Sequence, residues 1–459
     1  MVTPAADLLP AIDRALDDVR QQAPAWMARL PPKPGLRCRG RVSQVIGPLI
    51  EAHMPPVQIG ELCQLFNDSD AAQPMLAEVV GFTDRATLLS ALSPLEGVSN
   101  RTMVEPMNRM HSVEVGEHLF GCVLDGFGRL MFRAPEAPEA SSAWRDMVPV
   151  IRDAPNPTER PRIVRPMPTG VRAIDGLLTI GEGQRIGFFA GPGCGKTTLM
   201  AAVARGCKVD AIVFGLVGER GRELNEFLQH ELDAALVSRT IIVVATSDRT
   251  SMERARAPFT ATAIAEGLRA RGKKVLLLVD SLTRFARAQR EIGLSAGEPP
   301  ARGGFTPSVF TMLPRLVERA GNTPRGSITA IYTVLVDGEN PSDPIGDEAK
   351  SLLDGHIVLT RKLAEQGHYP AIDVLASISR VMSNVARKEH LRAATRFRDL
   401  MARYQEMELL IRLGEYKQGS DPLADEAIRA RPDQLAFLRQ DTRVVCDLRE
   451  TLGSLARFE

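Results

Sequence analysis

The run Ala190-Gly-Pro-Gly-Cys-Gly-Lys-Thr197 stands directly after the apolar stretch Gly187–Ala190 and just before Leu199-Met-Ala-Ala-Val203. A strand, a glycine loop and a helix in that order admit few folds. Glycines let successive backbone N–H groups turn inward as an anion nest, and the helix N-terminus adds the positive end of its dipole. The run is a P-loop with Ala in the first Gly position. Gly191, Pro192, Gly193, Cys194, Gly195, Lys196, Thr197 and Thr198 are therefore expected to wrap nucleotide phosphates. Lys196 reaches the β- and γ-phosphates, and the Thr197 hydroxyl ligates the metal, so ATP and Mg2+ are the expected ligands.

Around this loop, from about 169 to 383, apolar runs alternate with amphipathic stretches. Examples are Ala211–Phe214, Ile241–Val244, Val275–Val279 and Ile328–Tyr332. That alternation predicts an α/β domain, a parallel sheet covered by helices. Such sheets bind ligands at their C-terminal edge. Two carboxylates fall there. Asp280 ends the run Val275-Leu-Leu-Leu-Val-Asp280 and suits a Walker B acid holding Mg2+ through water, although an Asp at that place also suits a helix cap. Glu219 emerges after the run Ala211–Val217 and is expected to be the general base; standing alone it would read as a solvated loop charge.

The rest of the chain divides by pattern. Residues 1–35 carry Leu8, Leu9, Ile12, Leu16 and Val19 on one helical stripe, for packing or docking, before the Pro-rich Pro31–Gly35. Residues 36–133 hold short β-rich runs, among them Arg41–Ile46, Ala77–Phe82 and Leu119–Leu124, and predict a small β-barrel. Residues 134–168 read as a linker. Residues 384–459 read as helical, with Leu391, Ala394, Phe397, Met401, Tyr404, Met407 and Ile411 at helical spacing and Gly414 as a stop. The six cysteines are scattered without a CxxC pair, which argues against a zinc site or a disulfide framework and fits a reducing cytosol. No apolar run approaches membrane-spanning length and no signal peptide is evident, so a cytoplasmic location is expected. A net charge of +1 gives no global signal for nucleic acid.

Longer runs carry a family resemblance. Gly218-Glu-Arg-Gly-Arg-Glu223 resembles the catalytic-glutamate motif of the rotary-type ATPases, the superfamily of F-type, V-type and type III secretion enzymes. Asp280–Leu294, Gly297-Glu-Pro-Pro-Ala301, Pro307–Phe310, Thr169–Leu178, Leu353–Leu359 and Gly414–Pro422 resemble flagellar and injectisome secretion ATPases. Gly60-Glu-Leu-Cys63, Ile174–Leu178 and the Cys in the P-loop are similar to the injectisome branch, with the flagellar export ATPases as the alternative. The run Asp337-Gly-Glu-Asn340 is less acidic than is usual there.

The resemblance implies a RecA-like P-loop domain between an N-terminal barrel and a C-terminal helical domain. It implies that Tyr369 stacks on adenine, that Arg380 is an arginine finger acting on a neighbouring subunit's γ-phosphate, and that Arg220 also touches that phosphate. A homohexamer is implied, peripheral to the inner membrane at the export gate, with a central stalk protein, a stator-type regulator and chaperone–effector complexes as partners. Its ATP hydrolysis would release effectors from chaperones and drive unfolding and export. Three other readings fit less well. An ATP synthase catalytic subunit lacks the Gly297–Ala301 and Gly414–Pro422 runs. An RNA translocase wants a basic groove with stacking aromatics, whereas Phe66, Phe82, Phe120, Phe127 and Phe132 lie mostly in apolar strand contexts, so no nucleic-acid partner is expected. A non-catalytic ring subunit would not need Lys196, Glu219, Asp280 and Arg380 together.

Overall fold

The computed structural model describes residues 38–67, 75–93, 95–138, 144–231, 233–336 and 343–458. The expected helix in 1–35 and the run Asp337–Asn340 lie outside them. A barrel is built first, from β1 (Gly40–Ile46), β2 (Leu49–His53), β3 (Glu61–Phe66), β4 (Met75–Phe82), β5 (Thr87–Ala91) and β6 (Met103–Met110). It closes in the order β1-β2-β5-β4-β3-β6. Ile50, Ala52, Cys63, Leu65, Ala77, Val79, Leu89 and Val104 fill its interior, as period-two alternation requires.

The chain then adds β7 (Ser112–Val115), β8 (Cys122–Asp125), β9 (Leu130–Arg133) and β10 (Asp146–Pro149). Here the sequence-based boundary at 133 needs correcting. The run Leu119–Leu124 does not enter the barrel, because β8 pairs in parallel with β13 (Thr240–Ala245) and carries β9 at the far edge of the main sheet. Nor is 134–168 merely a connector: β10 pairs with β7, and Arg160 donates to the carbonyls of Glu318 and Ala320.

The main sheet uses β11 (Arg185–Ala190), β12 (Ala211–Val217), β13, β14 (Lys274–Asp280), β15 (Gly321–Asn322), β16 (Ser327–Leu335), β17 (Gly355–Leu359) and β18 (Ile372–Ser379). Its order is β18-β17-β11-β16-β14-β12-β13-β8-β9, with β15 pairing β16. All the central pairs are parallel, whereas β18 runs antiparallel to β17. Every residue of β12 is buried because helices cover both faces. Val213, Leu277 and Val279 face one core with the helix Ser251–Ala270; Ile212, Phe214 and Leu278 face the other with the helix Lys196–Gly206. The C-terminal helices Lys388–Leu413, Pro422–Leu438 and Leu448–Leu455 close this second core through Phe397, Phe437 and Leu455. Gly414 ends the long helix in the left-handed region at φ 72°.

Barrel and sheet are joined by a buried ion pair. Arg256 Nη2, on the helix Ser251–Ala270, lies 2.8 and 2.7 Å from the two oxygens of Glu78 on β4. Removing one member of such a pair strands the other's charge. Arg256→Ala is expected to destabilise the fold by about 3–5 kcal/mol, whereas Glu78→Met with Arg256→Met recovers most of the loss. Urea denaturation midpoints measure both.

Candidate active site

The loop after β11 takes its shape from backbone conformation. Gly193 and Gly195 both sit at φ 78°, where a side chain is strained; at Gly193 a Cβ would meet nothing within 4 Å, so conformation alone demands the glycine. Gly195 is the N-cap of the helix Lys196–Gly206 and offers no side-chain cap, so the first amides of that helix face the loop. Cys194 is 1% exposed and contributes backbone, not a surface thiol.

β12 and β14 are neighbours in register, Leu216 opposite Asp280, so their ends lie at one edge of the sheet beside the P-loop. Lys196 Nζ donates to Asp280 Oδ1 at 2.6 Å and lies 3.9 Å from Glu219 Oε1. Asp280 does not cap the following helix: Ser281 does, accepting from the Arg284 amide at 3.3 Å. The carboxylate is thereby left for the site. It is 1% exposed and also accepts from Thr333 Oγ1 at 2.7 Å. Nor is Glu219 a solvated charge: its side chain is 14% exposed, with Arg284 Nη2 at 3.4 Å from Oε2. Arg284 donates as well to the Gly218 carbonyl, which fixes the backbone of the same turn.

Burial pushes the Glu219 carboxyl up to about 7, aided by the Asp280 charge and by a hydrogen bond shared with Glu223. Lys196 and Arg284 oppose the rise. Through the same hydrogen bond Glu223 is held below the usual carboxylate range. A cleft of about 420 Å³ opens over this cluster, lined in part by Thr197, Thr198, Glu219, Glu223 and Asp280.

The oxygen donors suit magnesium. That ion is usually held by one or two carboxylates together with substrate phosphates, not by an all-protein cage. Among the described residues no group of three or more His, Cys, Asp or Glu could hold a metal by itself. A threonine hydroxyl and a buried carboxylate flanking a phosphate nest fit an ion that arrives with its nucleotide.

Three residues lie outside this cluster. Tyr369 is 43% exposed, and its ring carbons come within 3.9 Å of where a Cβ on Gly195 would stand, on the open flank of the loop. Arg220 caps the helix Gly221–His230 with its side chain 79% exposed and 3.6 Å from Glu223; it does not line the cleft. Arg380 is at the opposite edge. Because β18 is antiparallel, Gly355 at the start of β17 pairs with Ser379, whereas Leu359 at its end pairs with Ala190 on one side and Ile372 on the other. Strand geometry then separates Arg380 from the start of the P-loop by roughly 15–20 Å. Its guanidinium donates to the carbonyls of Lys350 and Leu353.

Sequence reasoning passed over Arg284, Thr333 and Glu223 as site residues. Arg284 carried a signal, since it lies four residues after Asp280 on the first turn of a helix. Thr333 carried none, because its place follows from strand register alone.

Three family models match: the ATP synthase alpha/beta family beta-barrel domain over residues 42–108, its nucleotide-binding domain over 170–379, and the T3SS EscN ATPase C-terminal domain over 386–457. The chain is 58% identical to the type 3 secretion system ATPase of Pseudomonas syringae pv. tomato over 94% of its own length and 96% of the relative's. To the flagellum-specific ATP synthase of Bacillus subtilis it is 47% identical, over 91% and 94%. A solved structure of the assembled ATPase EscN with its central stalk EscO, from the enteropathogenic E. coli type III secretion system, matches with a TM-score of 0.82 and 46% identity, over 91% of this chain and 99% of that one. With barrel, nucleotide-binding and C-terminal domains all matched in order, the chain belongs to the type 3 secretion system ATPase family.

Proposed function

We propose that this chain hydrolyses ATP for a type III protein secretion apparatus, in a homo-oligomeric ring whose active sites are shared between neighbouring subunits. One observation carries the proposal. Lys196, Glu219 and Asp280 converge at one edge of the sheet, while Arg380 lies at the other, out of reach of its own P-loop.

In this reading the loop amides and Lys196 bind the β- and γ-phosphates. When bound, Mg2+ between Thr197 and Asp280 would draw charge from both phosphates and orient them for in-line attack. Glu219 takes the water's proton at its carboxylate, and Arg284 holds that carboxylate in place. Tyr369 offers a flat face to the adenine. Arg380, fixed at the surface by two carbonyls, enters the next subunit's cleft and stabilises charge on the transferring phosphoryl group. Arg220, exposed beside Glu223, would reach that phosphate on turning away from Glu223.

A hexamer, a central stalk, a stator-type regulator, chaperone–effector complexes and a place at the export gate on the inner membrane belong to this reading. The assembled EscN with its central stalk EscO supports assembly into an oligomer and a stalk partner. The higher identity to the secretion than to the flagellar relative supports the injectisome over the flagellar reading. No helix among the described residues is long and apolar enough to cross a membrane. Peripheral attachment to the apparatus belongs to the same reading.

Because each site needs two chains, phosphate release per subunit is expected to rise with protein concentration and to plateau as rings form. Phosphate release from dilute to concentrated enzyme, with sedimentation in parallel, measures it. A flat profile across the dissociation range would overturn shared sites.

A further inference from the structure

Asp280 is held by more than Lys196. The last pair in the register of β14 and β16 joins Val279 to Tyr332, so Asp280 and Thr333 are the next residues along two adjacent strands. Thr333 is fully buried, and its hydroxyl stands 2.7 Å from Asp280 Oδ1. An ionised carboxylate only accepts, so the hydroxyl donates. Threonine is β-branched, and on a strand its χ1 is restricted, so that donor has little freedom to leave. Lys196 Nζ donates to the same oxygen at 2.6 Å. Among the described residues both side-chain donors to Asp280 thus fall on Oδ1, which leaves Oδ2 without a side-chain donor.

We propose that Thr333 is a positioning residue for the metal site: its hydroxyl orients the Asp280 carboxylate so that Oδ2 is presented to the magnesium that accompanies ATP. This rests on Asp280 being the metal acid. In this role the hydroxyl acts through Asp280. Its effect is to hold Asp280 when a phosphate draws Lys196 away, since Thr333 is then the remaining donor that fixes the carboxylate's rotation. Outer-shell partners of this kind typically change metal affinity or activity by about 10–100-fold when removed.

The test compares binding of fluorescent N-methylanthraniloyl-ADP, with magnesium and with EDTA, to the full-length wild type, Thr333→Val and Thr333→Ser. Valine keeps the buried volume and removes the donor. The expected result is that Thr333→Val weakens magnesium-dependent binding by about 10–100-fold and leaves metal-free binding unchanged. Thr333→Ser, which restores the hydroxyl, is expected to recover most of the loss. Unchanged magnesium-dependent binding in Thr333→Val would overturn the proposal. So would an equal loss with and without metal, which marks a packing role. If wild-type binding itself did not respond to magnesium, the role of Asp280 would fall first, and Thr333's with it.

Discussion

Replacing Arg380 by alanine is expected to cut turnover by about 10³–10⁵-fold while leaving ATP affinity largely intact. The split follows from where the side chain sits. At the start of the β17–β18 edge it cannot contribute to the phosphate nest of its own chain, which is built from Gly193, Gly195 and Lys196 at the other edge. What it adds is felt when charge develops on the transferring phosphoryl group, and such an interaction changes kcat more than binding. Arg380 is itself exposed and its guanidinium bonds two backbone carbonyls, those of Lys350 and Leu353, so the fold should be little affected by truncation. Single-turnover hydrolysis and equilibrium nucleotide binding separate the two effects. A loss in affinity as large as the loss in turnover would place Arg380 in ground-state binding instead.

Glu219→Gln is expected to cost about 10²–10⁴ in kcat, the usual contribution of a positioned general base. Its pH behaviour has a definite sign. Burial and the Asp280 charge favour the protonated carboxyl and push it up to about 7. A base acts as the carboxylate, so kcat/KM of the wild type should fall as pH drops below about 7 and level off above it. The glutamine variant should lack that acid limb, having no proton to gain. Arg284→Ala removes one of the two cations that oppose the rise, so the limb should move to higher pH. Rate profiles of the three proteins over the acid-to-neutral range read the order directly.

The parts of this site that were legible in the sequence are those determined locally. Glycines at positive φ, an apolar strand before them and a helix after them are neighbours in the chain, so the P-loop could be read residue by residue. Asp280 and Glu219 were legible for the same reason, each following a buried strand whose end must lie at the ligand-binding edge. Pairings between distant segments were not. Four residues, Cys122–Asp125, look alike whether they close a barrel or extend a sheet; only their partner, Ile242–Val244, decides, and no local signal names it. Thr333 faces Asp280 through register between two strands, and a shift of one residue would have turned it to the other face. The position of Arg380 depends on β18 being antiparallel, which the link over residues 360–371, with its helix Arg361–Glu365, permits but does not dictate.

In the proposed mechanism each ATP is hydrolysed between two chains, one supplying Glu219 and the other Arg380. Mixing Arg380→Ala protein with Glu219→Gln protein tests it most directly. Each is nearly inactive by itself. Where an Arg380→Ala subunit offers its cleft to a Glu219→Gln neighbour, the intact base meets an intact finger. Random equimolar rings should hold about one such site in four, and phosphate release should recover to about that share of wild type. If the mixture, co-assembled into rings, stayed at the level of its separate components, the two residues would not meet across a subunit boundary and the account would be wrong.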